Sequence, residues 1–138
     1  MLLPESDTVN TFVPELDAEH RNLLRLGSEL HQAIMRGGRA AQIQEGLRAL
    51  LAHVEDHFSH EERLMLRSGC PTYDWHKRQH DGLRRKAKAA VRRTRRGDRE
   101  ALPELLRYLP SWLRDHISVT DRMMGAHLRN YERLRPHR

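Results

Sequence analysis

The chain has 138 residues and a formal net charge of +6 at pH 7, and its length fits one domain with a buried core. Because only 5% of the residues are aromatic, the core must rest on aliphatic side chains, which favours helices over strands. The single cysteine excludes an internal disulfide, and the lack of a signal-peptide pattern or a long apolar stretch predicts a cytoplasmic protein without a membrane span.

The spacing of apolar residues at three and four predicts four helices, over about residues 16–35, 41–66, 75–96 and 103–128. Glycine or proline ends the first three, and Pro110 inside the fourth predicts a kink or a split. The breaks are short, so consecutive helices are expected to be antiparallel neighbours. The sequence therefore predicts an all-α fold, an up-down-up-down antiparallel four-helix bundle.

The two ends of the chain lack this periodicity. Residues 1–14 contain Pro4 and Pro14 and are predicted to form an N-terminal arm, followed by the bundle over residues 15–130. Residues 131–138 are predicted to form a C-terminal tail. No internal repeat or linker divides the chain, which predicts a single domain.

Much of the positive charge lies in one segment, Arg84–Arg99, which contains nine lysine or arginine residues. One interpretation is a solvated helix end, because cations are favourable near a helix C-terminus. Contact with an acidic protein partner or an anionic membrane surface is the alternative. Nucleic-acid binding is not expected, because the segment has no aromatic residue on which a base could stack.

Seven polar side chains fall on the inward, apolar faces of the four predicted helices. They are His20, His57, Glu61, His76, His80, His116 and Asp121. Residues four apart on a helix lie about 5–6 Å apart on one face, so two of the helices can each direct a pair of them at one point. An unpaired polar group in a core costs about 1–3 kcal/mol, so seven at one level need a common partner. A pair of metal ions meets this need.

The chemical types of these side chains narrow the choice of metal. Imidazole and carboxylate without thiolate suit iron, manganese or zinc. If both carboxylates bridge two six-coordinate ions that also share one oxygen, the five imidazoles leave a single coordination position open. The sequence thus predicts one position for a small ligand.

His116 and Asp121 are five residues apart, an offset of about 140° on a regular α-helix. They cannot both point straight inward from such a helix. We therefore expect one of them to reach in from the edge of the face, or a widened turn of the kind found at functional sites.

The motifs HFxxEExLM, HxxxH and WLxxHIxxxD, preceded by DxxH, resemble those of the hemerythrins, specifically the single-domain bacterial members. The resemblance covers nearly the whole chain and implies a four-helix bundle around two iron ions joined by an oxo or hydroxo bridge. It also implies that His76, His80 and His116 hold one iron whose coordination is complete. His20 and His57 would hold a second iron that has an open coordination position, and Glu61 and Asp121 would bridge the two irons.

By the same resemblance, dioxygen would bind at the open iron, in a pocket of apolar side chains about one turn from the ligands. The residues expected to line this pocket are Leu23, Leu24, Trp112, Leu113 and Ile117. His53 lies one turn before His57, at a position where the family usually has an aromatic hydroxyl. One prediction is that His53 hydrogen-bonds to a ligand or guards the pocket. The alternative is that it packs against neighbouring side chains or faces solvent.

Three classes of function remain open at this stage. The leading interpretation is a non-enzymatic protein that binds dioxygen reversibly for carriage, storage, scavenging or sensing. The second is a di-iron enzyme that reduces peroxide, dioxygen or nitric oxide. The third is a basic interaction module whose metal is only structural. The ligands are the same in the first two classes, so the sequence alone does not separate them.

Overall fold

The computed structural model describes residues 10–134 and consists of helices joined by short turns. Its elements are α1 (Pro14–Met35), α2 (Ala40–Ser68), α3 (Tyr73–Arg95), α4 (Ala101–Asp115), a π segment (His116–Asp121) and α5 (Arg122–Leu134). The last three follow one another without a break and together form the fourth long helix of the bundle. Each long helix packs on the next, and α1 also packs on α4. The predicted all-α four-helix bundle is confirmed.

Glycine ends α2 as the sequence predicts. Gly69 has a φ of 65°, in the left-handed region that glycine adopts without strain. This conformation lets the backbone N–H of Cys70 donate to the carbonyl oxygen of Met65 at 2.9 Å. Orphaned carbonyls of the last turn are satisfied in this way, so the chain can reverse towards α3 within four residues.

Of the kink or split predicted at Pro110, the split is wrong, because α4 continues through this residue to Asp115. A proline inside a helix removes one backbone hydrogen bond, at a cost of about 3 kcal/mol. Leu109 and Leu113, on either side of it, are both buried in the same apolar cluster. Packing of this stretch therefore outweighs the local penalty, and the departure from α geometry comes later, in the π segment.

A layer of polar residues divides the core into two apolar clusters. In α1, Leu16 packs in the smaller cluster and Leu23 in the larger one, with His20 between them in the chain. The smaller cluster consists of Leu16, Met65, Cys70, Met124 and Leu128. The larger cluster contains the buried leucines of α2 and α4. The polar layer is therefore enclosed by apolar side chains in both directions along the bundle.

The two ends of the chain are described only in part, since residues 1–9 and 135–138 of the predicted arm and tail lie outside the described range. Thr11 is buried, and its backbone N–H and hydroxyl donate to the Asp17 carboxylate at 2.7 and 2.8 Å. At the other end, α5 continues to Leu134, past residue 130. Among the described residues, no helix has both the length and the apolar character needed to cross a lipid bilayer.

Candidate metal centre

The four long helices bring all seven predicted polar residues into one layer. Helix α1 contributes one, α2 and α3 two each, and the π segment the last two. Every one is buried, with at most 4% of its surface exposed. The residues of this layer are His20, His57, Glu61, His76, His80, His116 and Asp121.

The Glu61 carboxylate lies in the middle of the layer and touches histidines from three helices. Its Oε1 is 3.2 Å from Nε2 of His76 and 3.0 Å from Nε2 of His80. Its Oε2 is 3.3 Å from Nε2 of His20 and 3.0 Å from Nε2 of His57. The two oxygens of one carboxylate therefore face two separate sets of imidazoles.

The Asp121 carboxylate repeats this division from the opposite helix. Its Oδ1 is 3.0 Å from Nε2 of His76 and 3.0 Å from Nε2 of His116, whereas its Oδ2 is 3.0 Å from Nε2 of His20. The layer thus has a three-histidine side, formed by His76, His80 and His116, and a two-histidine side, formed by His20 and His57. Each carboxylate gives one oxygen to each side.

The contacts within the layer fit a bound cation better than a set of hydrogen bonds. On each side the candidate ligand atoms all lie within 4.8 Å of one another. Both oxygens of Asp121 have imidazole nitrogens at 3.0 Å, yet neither has a hydrogen-bond partner of suitable geometry among the described residues. The Nε2 atoms of His80 and His116 also face each other at 3.2 Å. A metal on each side would satisfy these buried atoms together.

The π segment explains how His116 and Asp121 can share a site. Hydrogen bonds from residue i to i+5 widen the helix by one residue per turn, so residues five apart come onto one face. Both side chains are buried, and Asp121 Oδ1 lies 3.0 Å from His116 Nε2. The widened turn expected from the five-residue spacing is confirmed.

Glu19, which no sequence motif indicates, supports the two-histidine side. Its carboxylate accepts hydrogen bonds from Nδ1 of His57 at 2.6 Å and from Nδ1 of His60 at 2.7 Å. Burial raises the pKa of Glu19, but these two histidines outweigh it and lower the pKa below its ordinary value. A proton held on Nδ1 leaves the Nε2 lone pair of His57 free for a metal. His60, which also donates to Glu19, has only 24% of its side chain exposed.

The three-histidine side has two comparable supports that were also missed. Nδ1 of His80 donates to the Glu62 carboxylate at 2.8 Å, and Arg84 donates to the same oxygen at 2.8 Å. Nδ1 of His116 donates to the side-chain oxygen of Gln79 at 2.8 Å. The only sequence signal for these partners is that Glu62 and Gln79 directly adjoin candidate ligands in the chain.

Aromatic rings cover the three-histidine side. The ring of Phe58 stacks on His80 with centroids 3.9 Å apart and planes 5° apart. The ring of Trp112 stacks on His116 at 4.5 Å and 14°. Trp112, expected in the pocket for a small ligand, therefore lies against a histidine of the three-histidine side.

The buried charges of the layer depend on one another. Burial alone would lower the pKa of the histidines, but contacts with the carboxylates raise it to about 9 for His20, about 10 for His57 and about 9 for His76. Burial would likewise raise the pKa of Glu61 and Asp121, and the surrounding histidines hold both well below their ordinary values. Two buried carboxylates thus require positive charge. Protons supply it in the metal-free protein, and metal ions would displace those protons.

A small cavity of about 110 Å³ lies between α1 and α4, one helical turn from the layer. Three of the five predicted pocket residues line it: Leu23, Leu24 and Leu113. Ile117 is fully buried in the apolar cluster beside them. The cavity is thus apolar on the side that faces His20 and His116.

A second cavity, of about 370 Å³, opens beside the two-histidine side. His57, Glu19, His60 and Asp56 are among its lining residues. His53 also lines it and is exposed, and its side chain forms no hydrogen bond with any residue in the range 10–134. Of the two roles predicted for His53, hydrogen bonding to a ligand is therefore not found.

Comparison with known proteins gives a consistent result. The family model of the hemerythrin HHE cation binding domain matches residues 11–128. A bacteriohemerythrin of Methylococcus capsulatus is 28% identical over 109 residues, which cover 79% of this chain and 82% of that protein. Bacteriohemerythrins of Aquifex aeolicus and Pseudomonas aeruginosa are each 30% identical, over 113 residues (77% of this chain, 82% of that protein) and 115 residues (83% and 74%).

No solved structure matches the chain. The family match covers most of the chain and includes every residue of the polar layer. The resemblance first seen in the motifs is therefore confirmed: the chain belongs to the hemerythrin family of cation-binding domains.

Proposed function

We propose that this protein is a non-heme di-iron protein that binds dioxygen reversibly, for carriage, storage, scavenging or sensing. The observation that carries the proposal is the division of the layer, in which Glu61 and Asp121 each give one oxygen to each side. Carboxylates placed in this way suit a pair of bridged ions, and nitrogen and oxygen ligands without thiolate suit iron.

In this proposal one iron is held on the three-histidine side and the other on the two-histidine side. When bound, the iron pair supplies redox chemistry and, on the side with fewer imidazoles, an open position for dioxygen. Glu19, Glu62 and Gln79 hold protons on the outer Nδ1 atoms and so keep the inner Nε2 atoms directed at the metals. The ligand set is thereby fixed before the metals bind.

Apolar side chains near the open position would make binding reversible. Leu23 and Leu113 line the small cavity and lie three residues from His20 and His116, and Ile117 is fully buried in the same apolar cluster. Such side chains exclude water and protons, which would otherwise promote irreversible oxidation of the centre. The chain thus has an apolar approach for a small neutral molecule.

A second candidate, an enzyme that reduces peroxide, dioxygen or nitric oxide, is favoured by one observation. Glu19 lines the larger cavity and is partly exposed, and its carboxylate links His57 to His60 by two hydrogen bonds. A hydrogen-bonded path of this kind can deliver protons to a substrate. Reversible binding requires that this path stay inactive, whereas catalysis requires that it operate.

Two further proposals concern the setting of the protein. We place it in the cytoplasm, where the buried free thiol of Cys70 would stay reduced. An acidic protein partner at Arg84–Arg99 stays a prediction, but Arg84 itself contacts Glu55, Glu62 and Asp81 and is part of the fold.

Metal analysis combined with optical spectra in and out of air tests the proposed function. We expect two irons per chain and a spectrum that changes when the reduced protein meets oxygen and reverts when oxygen is removed. Rapid oxidation with turnover of peroxide or nitric oxide would support the enzyme instead. One metal per chain, or zinc alone after expression with added iron, would contradict both.

A further inference from the structure

A large groove lies between α2, α3 and α4, away from the metal-binding layer. Its volume is about 610 Å³, and none of the seven residues of the layer lines it. The floor is formed by Leu105 and Leu109 of α4. The walls are formed by Leu50, Leu51 and Val54 of α2 and by Leu83, Ala87 and Val91 of α3.

The groove exists because α3 presents small side chains where it faces α2. Ala87 and Val91, one helical turn apart, extend less far from the helix than leucine would. Leu51 and Val91 are consequently only half-buried in the described protein. Apolar surface left open between two packed helices favours an apolar occupant.

Three cations stand along the α3 side of the groove. Lys88, Arg92 and Arg95 line it, and their spacing of four and three puts them in one row about 10 Å long. None of the three forms an ion pair with a described residue. Arg84 and Arg93, on the same helix, have carboxylate partners at 2.8–2.9 Å. Half of the α3 cations without a described carboxylate partner therefore border the apolar groove, whereas Arg78, Arg85 and Lys86 lie outside its lining.

We propose that this groove binds a long-chain fatty acid, with the acyl chain along its half-buried apolar walls and the carboxylate at Arg92 and its neighbours in the row. The guanidinium group suits a carboxylate because it can donate two parallel hydrogen bonds. The volume falls in the range of about 300–1,000 Å³ that is usual for small-ligand sites. This proposal is independent of iron and of dioxygen.

The narrow space between packed helices argues for an acyl chain over a helix of an acidic partner. A helix with its side chains is about 10–12 Å across, and packed helices lie about 8–10 Å apart. A helix could rest on the rim but could not reach Leu105 and Leu109 without forcing α2 and α3 apart. An unbranched acyl chain is narrower than a helix and can lie along the half-buried Leu51, Ala87 and Val91, with its carboxylate at the row of cations.

Titration calorimetry with saturated fatty acids of increasing length, below their micelle-forming concentrations, tests the proposal on the iron-loaded protein. We expect one fatty acid per chain, and each methylene that enters the groove should tighten binding by about threefold to fourfold. The methyl ester of the same acid should bind at least about tenfold more weakly, because it lacks the charge that the cations recognise.

Two sets of variants separate the groove from general charge. Lys88→Glu with Arg92→Glu should weaken binding by about tenfold or more. Arg85→Glu with Arg96→Glu, an equal charge change on α3 and its C-cap outside the groove lining, should leave it within about twofold. Ala87→Trp fills the groove and should abolish binding. Val91→Trp serves the same purpose if the first variant does not fold. Iron content and helical circular dichroism show that each variant is intact.

Several results would overturn the proposal. One is an affinity that does not depend on chain length, and another is an equal loss of binding in the control pair. The absence of fatty-acid binding would also overturn it, whether an acidic amphipathic peptide binds instead or sedimentation shows a dimer that Leu51→Asp converts to a monomer. In those two cases the occupant is a protein partner or a second copy of this chain.

Discussion

The two sides of the metal-binding layer contain the same kinds of ligand but differ in how they are enclosed. On the three-histidine side, Phe58 and Trp112 stack on two of the rings. On the two-histidine side, His57 borders a cavity of about 370 Å³. The comparison suggests that one side is built for rigidity and the other for access, which suits a centre that binds a small molecule at one ion only.

The largest expected effect comes from removing a residue that serves both sides. Glu61→Ala takes one oxygen from each side and leaves the histidines without their central carboxylate. We expect iron to fall from two per chain to less than one, measured by metal analysis after gel filtration. Glu104→Ala, an exposed carboxylate of α4, is the control and should keep both irons. A normal iron content in Glu61→Ala would remove the basis for a bridge.

Replacing Phe58 removes one of the two rings that cover the three-histidine side. This side chain is buried, with 1% of its surface exposed, so Phe58→Ala should lower the free energy of unfolding by about 3–5 kcal/mol. Trp112→Ala should cost less, because Trp112 is only half-buried. Urea unfolding of the metal-free variants measures both. Equal losses of unfolding free energy in the two variants would contradict the view that Phe58 lies in the core of this side and Trp112 at its edge.

The apolar approach can be opened at Leu113. Leu113→Ala enlarges the cavity that borders it and should admit water, so we expect the oxygen-bound form to decay about tenfold faster while both irons stay bound. Ile117→Ala should act in the same direction. Leu102→Ala, in the same cluster but outside the cavity lining, is the matched control. Unchanged decay in both test variants would place the barrier elsewhere, with His53 as the next residue to change.

The supports of the two sides can be compared by a matched pair of conservative changes. Glu19→Gln and Glu62→Gln each replace a carboxylate that accepts a hydrogen bond from a candidate ligand. Losing such a partner weakens metal affinity by about 10–100-fold. We expect Glu19→Gln to release one iron first, and Glu62→Gln to release iron more slowly because the stack with Phe58 still holds His80. Competition with a coloured chelator measures the rate of iron release. Faster release from Glu62→Gln than from Glu19→Gln would contradict this expectation.

A smaller and more gradual effect should appear in the metal-free protein as pH rises. The pKa values of His20, His57 and His76 are raised to about 9–10 in the folded protein, so the stability they contribute is complete below about pH 6.5 and is lost through pH 9–10. The free energy of unfolding should therefore fall between pH 7 and 10, and the iron-loaded protein should show little of this decline. A flat or rising profile for the metal-free protein would count against these ion pairs.

Sequence patterns predicted the bundle and the membership of the layer because both depend on helical periodicity. The spacing of His116 and Asp121 predicted either a reach from the edge of the helix face or a widened turn, and the structure has the widened turn. What the patterns could not give depends on contacts between helices. Glu19 lies beside His20 in the chain but accepts a hydrogen bond from His57 of another helix. Pro110 remains helical because its neighbours pack in the core, although proline disfavours the interior of a helix. Local propensity does not contain these tertiary effects.

The most direct test of the account is a crystal structure of the iron-loaded protein with anomalous diffraction at the iron edge. The account predicts two iron peaks about 3.5–4 Å apart, with Glu61 and Asp121 each giving one oxygen to both. It also predicts His76, His80 and His116 on one iron, and only His20 and His57 on the other. A single peak, or two peaks that are not joined by both carboxylates, would contradict it.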